Sequence, residues 1–269
     1  MPAPDVKTVI TGVTGRMGQM LVKLVRDSEG FVLSGGTEKK GSAAVGLDVG
    51  LACHLGMLEV PVSDSLDAAL GGANVVIDFT TPEASIAHAK SCAAKKVPLV
   101  VGSTGFSAEA KAQIGELAHE IPIVMSPNMS IGVNLVIEIA AQLATRLGKD
   151  FDIDILESHH RHKKDAPSGT ALRLAEEIAK ALLRRPEEIR TSRVGNIGER
   201  KREEIGVQTL RGGDVVGEHT VYFFGDGERI ELTHRASSRE QFGRGALRAA
   251  KWIQGKAPGL YGMSDVLGG

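Results

Sequence analysis

The segment ESHHRHKKDAPSGTA (157–171) gathers His159, His160, Arg161, His162, Lys163 and Lys164, and a Pro-Ser-Gly-Thr turn follows at 167–170. Three chemistries compete for such a cluster. Imidazoles bind metals, but adjacent positions on an extended chain point to opposite faces. The helical His-x-x-x-His spacing is missing and two lysines would repel a cation, so no metal site is expected. A solvated basic loop is the ordinary fate of a charge run. The third reading is an anion receptor. Ser168 is suited to N-cap a helix, and the first-turn N–H groups of Gly169 and Thr170 would then face a carboxylate or phosphate beside imidazole and ammonium.

A second candidate lies near the start. GVTGRMG (12–18) carries glycines at 12, 15 and 18, with Thr14 in the place where the standard dinucleotide fingerprint has its middle glycine. Taken alone this is also an ordinary tight turn. It follows a β-branched run, KTVITGV (7–13), and opens a helical pattern from Arg16 to Arg26. Glu38 comes about 20 residues later, where an acid meets the ribose diol of a bound dinucleotide. A carboxylate there favours NAD, whereas an ammonium such as Lys39 can hold the 2′-phosphate of NADP. Lys39 is equally well read as a solvated surface lysine. GSTG (102–105) and SPNMSIG (126–132) close two later strands, the place where open α/β sheets bind ligands. Gly102, Ser103 and Thr104 would there meet the nicotinamide ribose, and Pro127, Asn128 and Met129 the nicotinamide. Turn chemistry alone is the alternative.

The elements that position these residues are legible as a rhythm. FVLSGGTE (31–38), VVIDF (75–79), PLVVG (98–102) and IPIVM (121–125) read as strands, with helices at 84–95 and 107–120 between the later ones. Thr81-Pro82-Glu83 reads as N-cap, first-turn proline and dipole-favoured acid. Strands alternating with helices indicate a parallel sheet covered on both faces. After Asn134 the rhythm changes to a helix, an alternating strand at 150–158, a helix at 169–183, and runs joined by Gly-Gly and Asp-Gly turns, the pattern of antiparallel hairpins. REQFGRGALRAAKWIQGK (239–256) is helical again. The expected organisation is a first domain of residues 1–129 plus 241–269 and an inserted α+β domain of residues 130–240. RTSRVGNIGERKREE (190–204) is expected to be a mobile connection or exposed loop.

Composition limits the alternatives. The 269 residues carry a formal net charge of −1, 42% apolar and 24% charged residues, so the basic cluster is local. Cys53 and Cys92 have no pairing spacing. Glu138 interrupts the most apolar run, and the N-terminus lacks a basic region followed by an apolar core. A cytoplasmic, soluble protein with no membrane or nucleic-acid partner is expected.

The segment 157–171 also resembles the signature of the 4-hydroxy-tetrahydrodipicolinate reductase (dihydrodipicolinate reductase) family. GVTGRMG (12–18), GSTGF (102–106), SPNMSIGVN (126–134) and THRASSRE (233–240) fit in order, so the resemblance spans nearly the whole chain. It implies an α/β fold with a Rossmann-like dinucleotide-binding domain and an inserted substrate-binding and tetramerisation domain. It further implies NADH and/or NADPH as hydride donor, a cyclic dicarboxylate substrate and a homotetramer. The implied reaction reduces 4-hydroxy-tetrahydrodipicolinate, with loss of water, in diaminopimelate and lysine biosynthesis. By position, His159 resembles the acid/base histidine and Lys163 the proton-donating lysine. His160, Ser168, Gly169 and Thr170 resemble substrate contacts. Gly12, Val13, Thr14, Gly15, Arg16, Met17, Glu38, Lys39, Gly102, Ser103, Thr104, Ser126, Pro127, Asn128 and Met129 resemble the cofactor set. Arg239 is a candidate for the second substrate carboxylate, or else an ordinary ion pair. Two departures stand out: Lys39 stands where some members have arginine, losing bidentate phosphate geometry, and Met129 stands where some members have an aromatic residue.

Overall fold

The computed structural model describes residues 4–268. The chain divides into two compact units, Met1–Ser130 with Glu240–Gly269, and Ile131–Arg239.

The first unit runs β1 (Val6–Thr11), α1 (Arg16–Asp27), β2 (Phe31–Thr37), α2 (Val49–Ala52), β3 (Val62–Ser63), α3 (Leu66–Ala69), β4 (Val75–Asp78), α4 (Pro82–Lys95), β5 (Leu99–Val101), α5 (Ala108–Leu117) and β6 (Pro122–Met125). After the second unit, whose elements are α6 (Ile131–Leu147), β7 (Asp152–His159), α7 (Gly169–Ala181), β8 (Ile189–Arg190), β9 (Ile205–Arg211), β10 (Gly217–Gly225) and β11 (Glu228–Ala236), the chain returns as α8 (Glu240–Trp252), β12 (Gly259–Tyr261) and α9 (Met263–Leu267).

Seven strands of the first unit form one sheet in the order β12-β6-β5-β4-β1-β2-β3, and every pairing is parallel. Parallel strands covered on both faces need continuous apolar runs. Val9, Ile10, Val75, Val76, Ile77, Leu99, Val100 and Val101 supply them, all fully buried. From β1 the chain progresses outward to β2 and β3 on one side, and β4, β5 and β6 fill the other. The switch point therefore falls between β1 and β4, where such sheets bind ligands beyond the strand ends. Thr81 caps α4 as the sequence indicates, its hydroxyl accepting from Ala84 N.

In the second unit a five-stranded mixed sheet, β11-β10-β7-β9-β8, packs Ile153, Ile155, Val207, Val221 and Phe223 into one core with α6 and α7. β10 and β11 form the expected Asp-Gly hairpin. The Gly-Gly link does not make a second one. β9 pairs parallel to β7, and β7 lies between β9 and β10. The link instead crosses the end of β7, where Gly212 N donates to the His159 carbonyl and His160 N to the Val215 carbonyl. The 190–204 segment is largely an exposed loop, as expected, but it is anchored rather than loose. Arg193 pairs with Asp154 and Glu204, and Arg200 with Asp152, so the acidic outer positions of β7 tie it down. Among the described residues no helix is long and apolar enough to cross a membrane.

Candidate functional site

The glycine turn is built for close approach. Gly12 adopts φ +63°, in the region that favours glycine, and a Cβ on Gly18 would stand 2.0 Å from the Gly12 carbonyl oxygen. α1 begins on Gly15 without a side-chain cap, whereas α4, α5 and α7 begin on Thr81, Ser107 and Ser168, whose hydroxyls accept first-turn amides. Gly15 therefore brings no capping side chain to the positive end of α1, and the turn fits a dinucleotide pyrophosphate. Val13 is buried, Arg16 exposed and Met17 half-buried. Glu38 reaches back to the turn: its Oε1 accepts from Thr14 N at 3.1 Å and Thr14 Oγ1 at 2.6 Å, and its Oε2 from Lys39 N at 3.0 Å. Burial opposes the charge, but these donors outweigh it and hold the Glu38 carboxyl below its ordinary pKa. The Lys39 side chain is exposed beside it.

The ends of β4, β5 and β6 carry the remaining cofactor candidates. Gly102 N donates to the Asp78 carbonyl at 2.8 Å, and a Cβ on Gly102 would meet the Phe79 ring at 2.2 Å. Ser103 is buried with its hydroxyl 2.9 Å from that of Ser85, and Thr104 is exposed. Ser126 Oγ donates to the Asn128 carbonyl at 2.9 Å, and Asn128 Oδ1 accepts from Ser130 N at 2.9 Å. Pro127 is exposed. Met129 is only 1% exposed, so its side chain packs into the unit's interior.

In the second unit the Gly-Gly link crosses the end of β7 and straps the basic segment. Gly212 N donates to the His159 carbonyl, Arg161 N to the Gly213 carbonyl and His160 N to the Val215 carbonyl, at 3.0, 3.2 and 2.8 Å. Arg161, His162 and Lys164 are exposed. His160 is half-buried, and its Nδ1 is shielded without a hydrogen-bond partner. Burial, ahead of the charges on Arg239, His159, His162 and Lys163, lowers its pKa. Lys163 Nζ pairs with Asp165 Oδ1 at 2.9 Å. Ser168 is buried: its hydroxyl caps α7 through Ala171 N and lies 3.1 Å from His219 Nε2. It serves the helix start rather than the open surface. Gly169 is exposed, and nothing lies within 4 Å of the place its Cβ would take. Thr170 is half-buried and Arg239 exposed.

Beneath this loop sits Glu157, 0% exposed. Oε1 accepts from Ser168 N at 2.9 Å, Thr209 Oγ1 at 3.1 Å and Arg211 Nη2 at 2.9 Å; Oε2 meets His159 Nδ1 at 2.6 Å and accepts from Arg211 Nη1 at 2.8 Å. Burial disfavours the charge, but His159, Arg211 and Ser168 more than compensate and bring its pKa down to about 2. An ionised carboxylate only accepts, so His159 Nδ1 carries the proton of that bond and Nε2 is left for chemistry. The His219 ring stands edge-on to His159 at 5.3 Å and is 4% exposed; burial pushes its pKa down to about 3, so it is neutral. A Cβ on Gly217 would come within 2.9 Å of His159 Nε2, which is why the start of β10 is glycine. Among the described residues no group of three or more His, Cys, Asp or Glu is arranged to hold a metal ion.

Glu157, Arg211, Thr209 and His219 escaped the sequence reading. A signal existed for Glu157, since period-two alternation puts it on the core face with Ile153 and Ile155, an anomalous place for an acid. None existed for the other three. Only sheet register brings Thr209 and His219 opposite Glu157, and Arg211 opposite His159.

Residues 6–129 match the family model described as dihydrodipicolinate reductase, N-terminus, and residues 132–267 match its C-terminus. The chain is 62% identical over 265 residues to the 4-hydroxy-tetrahydrodipicolinate reductase of Myxococcus xanthus (strain DK1622), covering 98% of both chains. It is 57% identical over 263 residues to that of Anaeromyxobacter dehalogenans (strain 2CP-C), covering 97% of both. The solved dipicolinate-bound dihydrodipicolinate reductase from Paenisporosarcina sp. TG-14 matches with a TM-score of 0.78 at 27% identity, over 98% of this chain and all of that one. Matched through both units and nearly end to end, the chain belongs to the dihydrodipicolinate reductase family.

Proposed function

We propose that this chain catalyses the NAD(P)H-dependent reduction of 4-hydroxy-tetrahydrodipicolinate to tetrahydrodipicolinate, with release of water, in diaminopimelate and lysine biosynthesis. The single observation that carries the reading is the Glu157 network. One buried carboxylate fixes both the ring of His159 and the start of α7, so a proton-carrying group and an anion-binding helix end are held by the same atom pair.

A bound nicotinamide dinucleotide supplies the hydride. Residues 1–129 with 241–269 hold it. The uncapped α1 takes the pyrophosphate along Gly12 to Met17, Glu38 takes a ribose hydroxyl, and Gly102 to Thr104 and Ser126 to Met129 border the nicotinamide end. Glu38 and Lys39 side by side suit both NADH and NADPH. Residues 130–240 hold the cyclic dicarboxylate. His160, Lys163 and the α7 start at Gly169 and Thr170 receive one carboxylate, with Ser168 acting through the cap, and Arg239 receives the other. After water leaves the 4-hydroxy ring and C4 accepts hydride, an enamine-like carbon must gain a proton. His159, held by Glu157, or Lys163, held by Asp165, delivers it. We further assign a cytoplasmic homotetramer. The outward face of the five-stranded sheet supports it, with Tyr222 and Phe224 stacked at 5.5 Å and Leu210 53% exposed.

The test is oxidation of NADH and NADPH, followed at the nicotinamide band, over a panel of small cyclic and acyclic acids. Turnover is expected with 4-hydroxy-tetrahydrodipicolinate and inhibition with dipicolinate. Turnover of a different acid in preference would overturn the reading.

A further inference from the structure

Asp78, at the end of β4, has no part in the chemistry above, yet it is fully shielded from solvent. Its neighbours Val75, Val76 and Ile77 are apolar and equally buried, so the core itself has no use for an acid here. A buried carboxylate stays charged only when donors replace water. Asp78 Oδ1 accepts from Thr80 N at 2.8 Å and Thr80 Oγ1 at 2.6 Å, and Oδ2 meets His88 Nδ1 of α4 at 2.8 Å. Burial opposes the charge, but His88 and Thr80 prevail and the carboxyl stays below its ordinary pKa.

These bonds fold residues 79–80 back over the strand end, and both then touch glycines of the cofactor cradle. Thr80 Cγ2 lies 2.9 Å from where a Cβ on Gly12 would stand, and the Phe79 ring 2.2 Å from where one on Gly102 would stand. The Asp78 carbonyl accepts from Gly102 N as well. Three strand ends, β1, β4 and β5, thereby meet at the turn that the Asp78 side chain holds, the β5 end also through the Asp78 main chain. We propose that Asp78 is a positioning residue for the dinucleotide: with His88 as its second anchor, it locks a Phe79-Thr80 shelf that sets the spacing between the glycine turn at 12–18 and the turn at 102–105. The inference rests on the nicotinamide-cofactor reading above.

Thr80→Val keeps a methyl against Gly12 and removes the hydroxyl that Asp78 accepts, whereas Thr80→Ser keeps the hydroxyl. The dissociation constant for NADH, read by its fluorescence on the full-length enzyme, is expected to rise about tenfold in Thr80→Val and Asp78→Asn, the size of one lost hydrogen bond to a charged group. Thr80→Ser is expected to return within about twofold of wild type, and kcat at saturating cofactor to hold within about twofold throughout, because the shelf acts on binding. A purely structural role would lower the melting temperature without this split. Unchanged NADH affinity in Thr80→Val, or a Thr80→Ser as weak as Thr80→Val, would overturn the assignment. A wild type that bound neither NADH nor NADPH would instead remove the reading beneath it, and this inference with it.

Discussion

Glu38 and Glu157 both stand at or near a strand end, and both are held below the ordinary carboxylate pKa, but they are built in opposite ways. Glu38 is half-buried and draws its donors from Thr14 and Lys39. A carboxylate offers about four acceptor sites, so Glu38 keeps capacity for a ligand hydroxyl. Glu157 is fully buried and saturated by His159, Ser168, Thr209 and a two-pronged Arg211. It has nothing left for a ligand and acts only through the groups it holds. The difference separates a carboxylate that binds from one that organises, and each can be tested where the other should be silent.

The largest effect is expected on the organised side. Lys163→Ala should lower turnover by about 10²–10⁴-fold, the usual cost of removing a well-placed general acid. NADH affinity should stay at the wild-type level, since Lys163 belongs to the unit that does not carry the glycine turn. Turnover within about threefold of wild type would remove Lys163 from the chemistry. A parallel loss of NADH affinity would break the separation of roles.

A middle-sized effect concerns acid stability. His219 has its pKa pushed down to about 3 by burial, so below pH ~6.5 the unfolded chain takes up a proton that the fold refuses. Stability should fall by about 1.4 kcal/mol per pH unit over that range. Glu157, held at about 2, contributes stability that is complete above the ordinary carboxylate value and is lost only as pH drops below it toward 2. The two limbs are therefore ordered, His219 first and Glu157 second. Urea melts of His219→Gln between pH 7 and 5 should flatten the first limb by about 2 kcal/mol relative to wild type. Equal slopes would mean that the ring is not held neutral. Glu38 is only partly buried, so solvent screening should keep its own contribution too small to stand out in either limb.

The contrast also explains what the sequence disclosed. The cofactor side is local. A strand, three glycines and an acid about 20 residues on are adjacent in the chain, and the parallel sheet follows from alternating strands and helices. The basic segment was equally visible because His159 to Thr170 is contiguous. Its support was not. Arg211 and His219 lie on strands whose order depends on β7 sitting between β9 and β10, and the Gly-Gly link reads locally as a hairpin turn. Asp78 was hidden for another reason: within VVIDF it looks like the end of an apolar strand, and its charge shows its use only once Thr80 and His88 are seen around it.

The smallest expected effect returns to Glu38 and its neighbour. Lys39 is exposed, so an ionic contact with a 2′-phosphate would be worth only about 1 kcal/mol, and it lacks the two-pronged geometry of arginine. Lys39→Ala should therefore lower kcat/KM for NADPH by about fivefold and leave that for NADH unchanged. Lys39→Arg should raise the NADPH value by a similar factor, because a planar fork matches phosphate oxygens. Raising salt should shrink both differences, since the contact faces solvent. If Lys39→Ala altered the two cofactors equally, the lysine would be an ordinary surface charge. Glu38, whose hydrogen bonds do not depend on the adjacent ammonium, would then set the cofactor preference by itself, which favours the free 2′-hydroxyl of NADH.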